Sequence, residues 1–278
     1  MLSDNLNDFV RERLACPISK KAMKQAGNDF QAPCGFLYKD GDFRIGLEFQ
    51  DKWAKGQKVY EDLIAREVQE PSKTVLSAID EETRDVYAKI KMTGDILDIG
   101  GGWGTLAKQA DMDTSRYVCV DPMVCRWSSL SPNGTFAIHY SSLKNIPRIV
   151  AFAEFLPFAD ATFDTVHIRS CLDHMANAVL ALRESFRVLR PGGKAVIGLS
   201  LERAYKKNST TLKQRIKRAL ISLPGGWHLF ELLAHDAHIF HPTYENLVEM
   251  ITKNGFSIKT EVWQEAYHNV IYFEVVRP

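Results

Sequence analysis

The chain has 278 residues, 45% of them hydrophobic, so it can bury one large core and a smaller appended unit. Lysine and arginine number 35 against 34 aspartates and glutamates, a balance that excludes a global attraction to nucleic acid or to an anionic membrane. The five cysteines have no paired spacing, which favours a reducing compartment, and neither a signal-peptide pattern nor a long apolar run is present. We therefore expect a cytoplasmic protein without a membrane partner.

Residues 1–50 are predicted to form a short helix followed by a small ribbon of strands. Apolar residues recur at helical spacing over residues 1–14, and a turn-rich segment follows around Cys16 and Cys34. This segment resembles the zinc ribbon that precedes some methyltransferase domains. A tetrahedral zinc site needs four cysteine or histidine ligands, whereas this segment offers Cys16 and Cys34. We therefore predict a ribbon that holds no metal.

Residues 51–93 are predicted to form a helical lid or linker. The spacing of apolar residues predicts helices over 52–70 and 73–92, which Pro71 separates. Tyr60 lies in the first of these helices, where its ring either closes over a ligand or packs in the core.

Residues 94–105 contain the strongest motif of the chain. An apolar strand over 96–99 is followed by glycines at alternate positions, Gly100, Gly102 and Gly104, and then by a helical stretch. Glycine allows positive φ and a close approach of a ligand to the main chain. Asp98 lies near the carboxyl end of the strand, as an acceptor that faces the same gap.

The spacing Asp-x-Gly-x-Gly-x-Gly resembles the first motif of the class I, Rossmann-like S-adenosylmethionine-dependent methyltransferases, whereas dinucleotide-binding proteins use Gly-x-Gly-x-x-Gly. Four further blocks resemble that family in order, namely 117–121, 153–158, 163–166 and 188–193. The resemblance implies an S-adenosylmethionine-dependent methyltransferase, with S-adenosyl-L-methionine as its cofactor.

The alternation of predicted elements and the resemblance indicate the same α/β fold class. Strands over 95–99, 116–121, 149–152, 163–168 and 194–200 alternate with helices over 105–111, 123–130 and 175–189. Helix 243–254 and strands 256–263 and 268–276 complete a Rossmann-like, seven-stranded, mostly parallel sheet with an antiparallel last strand and helices on both faces. We expect this core to span 94–200 and 243–278, with a helical lid insertion over 201–242 on the acceptor side.

The resemblance also implies the cofactor-binding residues. They are Asp98, Gly100, Gly101, Gly102, Gly104, Asp121, Pro122, Met123, Ala153, Glu154, Ser170 and Tyr60. Asp121 follows the second strand, where the family places the carboxylate that binds both ribose hydroxyls. Phe152 stands where many relatives have an aspartate for the adenine amino group, so the backbone near Ala153 is expected to hold the adenine, and Glu154 either contacts the ligand or orients its loop.

The candidate catalytic residues are Asp173, His174, His238 and His241. Asp173 and His174 follow the fourth strand, where they either act as an acid–base pair or begin the next helix. His238 and His241 belong to a group of four histidines within fourteen residues, with His228 and His235. Neutral imidazole can accept a proton from a substrate hydroxyl, and a metal site or a structural role are the alternatives. We predict no metal, and we interpret Cys171 as a packing residue.

The sequence therefore predicts methyl transfer to a small-molecule acceptor, O-methylation of a sugar-like or secondary-metabolite hydroxyl. A basic stretch that includes Lys213 and Lys217 either binds an anionic group of this acceptor or is a solvated helix face. An RNA methyltransferase and a non-catalytic cofactor-binding protein are the rival hypotheses. The balanced charge and the lack of an aromatic-basic RNA module argue against nucleic acid.

Overall fold

A computed structural model describes residues 6–45, 58, 62, 83–110, 112–123, 127–201, 238–265 and 269–278. Its helices are α1 (Asp8–Arg11), α2 (Arg84–Lys89), α3 (Leu106–Gln109), α4 (Thr135–His139), α5 (Ala178–Val188) and α6 (Tyr244–Lys253). Its strands are β1 (Lys24–Ala26), β2 (Asp29–Gln31), β3 (Leu37–Tyr38), β4 (Ile96–Ile99), β5 (Tyr117–Asp121), β6 (Arg148–Val150), β7 (Phe163–Arg169), β8 (Leu189–Ser200), β9 (Ser257–Trp263) and β10 (Val270–Val276).

Seven of these strands form one mostly parallel sheet in the order β6-β5-β4-β7-β8-β10-β9. Strand β10 is antiparallel to both of its neighbours, β8 and β9. This topology confirms the predicted Rossmann-like fold class. The carboxyl ends of β4, β5 and β7 meet at one edge, the usual ligand-binding edge of an open α/β sheet.

Alternate residues of the sheet pack into two separate cores, one on each face. Leu97 and Ile99 belong to a core that α5 and α6 cover, whereas Ile96 belongs to a second core that α2, α3 and α4 cover. Both faces of the sheet are therefore buried under helices, as parallel sheets require.

The N-terminal segment forms a three-stranded antiparallel sheet, β1-β2-β3, that packs on the first core. The backbone N–H of Ala15 donates to the carbonyl of Pro157 at 3.0 Å, and that of Phe43 donates to Val150 at 2.8 Å. These bonds hold the small sheet beside β6. That this sheet binds no metal stays a prediction.

Buried Asp95 joins three arginines that are far apart in sequence. Its carboxylate is 2.6 Å from the Arg116 side chain, 2.8 Å from Arg190 Nη2 and 3.0 Å from Arg13 Nη2. Burial raises the pKa of Asp95, but the arginine hydrogen bonds outweigh burial and lower it. This carboxylate therefore links the N-terminal segment to two parts of the core.

Several predicted bounds were wrong. A helix was predicted over 123–130, but the described residues of this range contain only a 3₁₀ turn, Trp127–Ser129. The next helix, α4, begins after Gly134. Serines and the Pro132-Asn133 pair favour turns over a continuous helix here. The helix predicted from 175 begins at Ala178, because the Asn177 side chain caps it through the Leu180 N–H.

Other predictions lie wholly or mainly outside the described residues. They concern helix 52–70, most of helix 73–92 and the insertion over 201–242, so the proposed domain boundaries stay predictions. Among the residues that the structure describes, no helix has the length and apolar character needed to cross a membrane.

Candidate functional site

The glycine turn after β4 leaves bare backbone beside the sheet edge. Gly100, Gly102 and Gly104 all have positive φ, at 69°, 53° and 76°. A Cβ on Gly100 would lie 2.5 Å from the Cys171 sulfur, and one on Gly101 would lie 2.2 Å from a carboxylate oxygen of Asp98. Close packing therefore excludes a side chain at Gly100 and Gly101, and the positive φ at Gly102 and Gly104 favours glycine there.

A cavity of about 280 Å³ opens at this edge. The predicted cofactor residues that line it are Asp98, Gly100, Gly101, Asp121, Pro122, Met123, Ala153, Glu154 and Ser170. Gly102 and Gly104 belong to the turn but do not line the cavity, and Tyr60 lies outside the described residues. The structure thus brings nine of the twelve predicted residues to one cavity.

Asp121 is a carboxylate held in place by the backbone. Its Oδ2 accepts from the N–H of Gly102 at 3.0 Å, and its Oδ1 accepts from the N–H of Met123 at 2.8 Å. Burial raises the pKa of Asp121, the two backbone donors oppose this shift, and nearby Asp98 adds to it, so that the pKa is about 6. Each oxygen keeps acceptor capacity, so the group fits a ligand that donates two hydroxyl hydrogen bonds.

Asp98 has hydrogen-bond partners within the protein. Its Oδ2 accepts from the hydroxyl of Tyr117, and its Oδ1 lies 2.8 Å from His167 Nδ1. The other nitrogen of His167 lies 3.1 Å from the hydroxyl of Tyr87. All four residues are buried, so Asp98 anchors a polar network under the glycine turn in addition to lining the cavity.

Two polar residues of β7 that were not predicted from the sequence also line the cavity. His167 and Arg169 lie on β7, and Arg169 donates to the side chain of Gln109 at 2.9 Å. The sequence contains a signal for them, because Thr165, His167 and Arg169 alternate with the apolar residues Val166 and Ile168.

Glu154 orients the segment that leads into α5. Its Oε1 accepts from the N–H of Asn177 at 3.1 Å, the residue that caps α5. Burial raises the pKa of Glu154, and backbone hydrogen bonds oppose that rise. Glu154 and Phe152 also line the cavity, and their contact with a ligand stays a prediction.

Asp173, His174 and His238 come together beside the cavity. The Oδ1 of Asp173 lies 4.0 Å from His174 Nε2, and its Oδ2 lies 3.5 Å from His238 Nε2. The His174 and His238 rings stack at 4.5 Å, and His241 lies one ring further away, 5.4 Å from His238. Of these four residues His174 lines the cavity.

The segment that contains His238 docks on Asp173 through its backbone. The N–H of Ile239 donates to the carbonyl of Asp173 at 2.7 Å. Burial raises the pKa of the Asp173 carboxyl, whereas the surrounding histidines lower it. The ligand atoms of Asp173, His174 and His238 lie within 4.8 Å of one another, a spacing that could hold a divalent cation.

Cys171 packs against the glycine turn. Its Sγ donates to the carbonyl of Ile99 at 3.3 Å, and burial raises the pKa of this thiol well above its ordinary value. A protonated, buried thiol is a poor nucleophile, which agrees with the packing role predicted for Cys171.

Comparisons with known proteins identify the domain. Residues 97–197 match the model of a family described as a methyltransferase domain. The chain is also 29% identical over 187 residues to the ubiquinone/menaquinone biosynthesis C-methyltransferase UbiE of Saccharophagus degradans, covering 63% of this chain and 69% of the relative. Residues 97–197 therefore form a methyltransferase domain of the class I, S-adenosylmethionine-dependent type. Its cofactor is therefore S-adenosylmethionine.

Solved structures support the fold of this methyltransferase. An S-adenosylmethionine-dependent methyltransferase from Thermotoga maritima has a TM-score of 0.52 at 14% identity and covers 82% of this chain and all of its own. Phosphoethanolamine N-methyltransferase 2 of Haemonchus contortus, in complex with phosphomonomethylethanolamine and S-adenosylhomocysteine, has a TM-score of 0.50 at 16% identity, covering 84% of this chain and 60% of its own. The methyltransferase spans about two thirds of the length of the curated relatives that it matches.

Proposed function

We propose that this methyltransferase methylates a hydroxyl group of a small molecule, of a sugar-like or secondary-metabolite type. The observation that carries the proposal is the cluster of Asp173, His174 and His238, whose His174 lines the same cavity as Asp121 and the glycine turn. Methyl transfer to a hydroxyl needs an acceptor for the hydroxyl proton, and this cluster offers one beside the cofactor residues.

The chain's own residues suit S-adenosylmethionine, which when bound supplies an electrophilic methyl group on a positively charged sulfur. We assign the ribose hydroxyls to Asp121, because its carboxylate is already oriented by two backbone donors. Gly100 and Gly101, which carry no side chain of their own, line the cavity. Ala153 and Phe152, which line the same cavity, would hold the adenine.

We assign the proton transfer to His174. Its imidazole would accept the hydroxyl proton, and the Asp173 carboxylate would stabilise the resulting imidazolium from behind. His238 lies beside the same carboxylate and stacks on His174, so it orients the pair or substitutes for it. We favour His174 over His238 and His241, because His174 lines the cavity.

The names of the curated relatives favour a second candidate, methylation of carbon. Those relatives are C-methyltransferases of ubiquinone and menaquinone biosynthesis. Loss of a proton from a ring hydroxyl also increases the electron density on ring carbons, so the same base serves either reaction. Nuclear magnetic resonance of the product distinguishes an O-methyl from a C-methyl group.

The proposed test compares single variants of the histidines with the wild type. With a panel of sugar and phenolic acceptors, formation of S-adenosylhomocysteine should fall roughly 10²- to 10⁴-fold in His174→Gln, with unchanged cofactor affinity. His139→Gln is the matched control, because His139 is exposed at the end of α4. Near-wild-type turnover in single Gln variants of His174, His238 and His241 would contradict a histidine base. Loss of wild-type turnover on chelation would favour a metal in the cluster.

An anionic group on the acceptor is proposed from the sequence alone, since Lys213 and Lys217 lie outside the described residues. Replacing both with glutamine should raise the acceptor's KM in a salt-dependent way and leave kcat nearly unchanged. Lys144→Gln, at an exposed position, is the control. An unchanged KM would contradict the assignment, and a steep salt dependence of RNA binding would instead favour the RNA hypothesis.

A further inference from the structure

The small N-terminal sheet brings two thiols together. Cys16 is buried and follows the Leu14–Ala15 segment that pairs with the core, whereas Cys34 is exposed in the turn between β2 and β3. Their sulfur atoms are 3.5 Å apart, although 18 positions separate them in sequence. This distance is van der Waals contact, about 1.5 Å longer than a disulfide bond.

The turn that holds Cys34 is built to place this thiol at its tip. The N–H of Ala32 donates to the carbonyl of Phe36 at 2.8 Å, and the N–H of Gly35 donates back to Ala32 at 3.0 Å. Gly35 has a φ of 93°, and no heavy atom lies within 4 Å of the position that a Cβ would occupy. The surroundings therefore leave room for the small shift that brings the sulfurs together.

Two groups polarise the buried thiol. The Cys16 sulfur lies 3.4 Å from the hydroxyl of Tyr38, and it accepts from the N–H of Ser19 at 3.4 Å. Burial raises the pKa of Cys16, but hydrogen bonds from Ser19 and Tyr38 outweigh burial and lower it to about 7. This shift favours the thiolate, which is the nucleophilic form of the group.

The other described cysteines do not compete for this chemistry. Cys119 is buried in the core under the glycine turn, and Cys171 is packed against that turn with a raised pKa. Among the described residues, the cluster whose donor atoms suit a metal ion is Asp173, His174 and His238, outside the small sheet. Two sulfurs alone cannot fill the four positions of a structural zinc site.

We propose that Cys16 and Cys34 form a dithiol site that a hydroperoxide converts to a reversible disulfide. Exposed Cys34 attacks the peroxide oxygen, the O–O bond breaks, and the products are a sulfenic acid on Cys34 and an alcohol, or water from hydrogen peroxide. The Cys16 thiolate then attacks the Cys34 sulfur, the S–S bond forms, and the released hydroxide takes up a proton to form water. The two thiols lose two electrons to the peroxide, and a dithiol reductant reverses the reaction.

To test this proposal, the reduced protein is treated with one equivalent of hydrogen peroxide. Its remaining thiols are then alkylated, and its peptides are analysed by mass spectrometry. Of the five thiols, two should become resistant to alkylation, and the Cys16 and Cys34 peptides should be linked until dithiothreitol is added. In Cys16→Ser, dimedone should label Cys34, because the attacking thiol is absent. Cys125→Ser is the control, and it should still lose two reactive thiols.

A third variant tests the role of the polarised thiolate. Tyr38→Phe removes one hydrogen bond to Cys16, so closure should be several-fold slower at about pH 7 and recover at about pH 9. A wild-type protein whose two thiols both remain alkylatable, or that forms only disulfides between molecules, would overturn the proposal. Stoichiometric zinc that disappears in Cys16→Ser and Cys34→Ser would overturn it as well.

Discussion

Asp121 offers a quantitative test of the proposed cofactor site. Replacing Asp121 with alanine removes the one carboxylate whose oxygens are held by Gly102 and Met123 at the cavity wall. A hydrogen bond to a charged group contributes about 1.5–3 kcal/mol, which corresponds to roughly 10- to 150-fold in affinity. We expect S-adenosylhomocysteine to bind weaker by this factor in Asp121→Ala.

The pH dependence of binding adds a second criterion. Burial raises the pKa of Asp121 to about 6, and the ionised carboxylate is the stronger acceptor for two hydroxyl groups. Its ionised fraction falls from about nine tenths near pH 7 to about one tenth near pH 5, so wild-type affinity should fall up to about tenfold over this range. Asp121→Ala should lose this dependence.

Isothermal titration calorimetry between about pH 5 and pH 8 measures both effects. Asp113→Ala is the matched control, because this carboxylate is exposed, accepts from Ser115 and does not line the cavity. Circular dichroism and thermal melting verify that each variant is folded. Wild-type affinity in folded Asp121→Ala at neutral pH would refute the assignment of the ribose to this residue.

Three further changes test the packing around the site, each by urea denaturation. Gly101→Ala should lower the free energy of unfolding by about 1–3 kcal/mol and weaken cofactor binding. Gly192 has a φ of 77° and open space around it, so Gly192→Ala should lower the free energy of unfolding by about 1–2 kcal/mol and leave cofactor binding intact. Equal cofactor binding in both variants would contradict the close-packed turn. Asp95→Asn should cost about 2–3 kcal/mol at pH 7. Because the pKa of Asp95 is lowered in the folded protein, the stability difference between wild type and variant should be complete above about pH 4 and vanish as the pH falls further. A stability difference that does not change with pH would exclude the ion pairs as its cause. Tyr87→Phe should lower the free energy of unfolding by about 1–2 kcal/mol, because it leaves a buried nitrogen of His167 without the Tyr87 hydroxyl. An unchanged free energy of unfolding would indicate that water replaces this hydroxyl.

Local patterns made the sheet and the glycine turn predictable. The apolar run of β4, the alternate glycines and Asp121 at the end of β5 are each visible within a few residues, and their order along the chain resembles one family. The mostly parallel sheet with its antiparallel last strand follows from these signals and is confirmed by the strand order.

The partners of buried polar groups could not be predicted, because they depend on register between distant strands. Asp98 lies opposite His167 across the β4–β7 pair, although 69 positions separate the two residues in sequence. The density of histidines near 238 was visible in the sequence, but Asp173, the carboxylate beside His238, lies on a distant loop. The 3₁₀ turn Trp127–Ser129 replaces part of the helix predicted over 123–130, because the serines and the Pro132-Asn133 pair favour turns.

The long-range contacts of the N-terminal sheet also constrain how the chain folds during its synthesis. Ala15 binds Pro157, and Lys20 forms a 2.6 Å ion pair with Glu184, 164 positions later. At about 5–20 residues per second, a ribosome needs roughly ten to thirty seconds to make that intervening chain. The N-terminal sheet leaves the ribosome before these partners, so it completes its packing after much of the parallel sheet has been made.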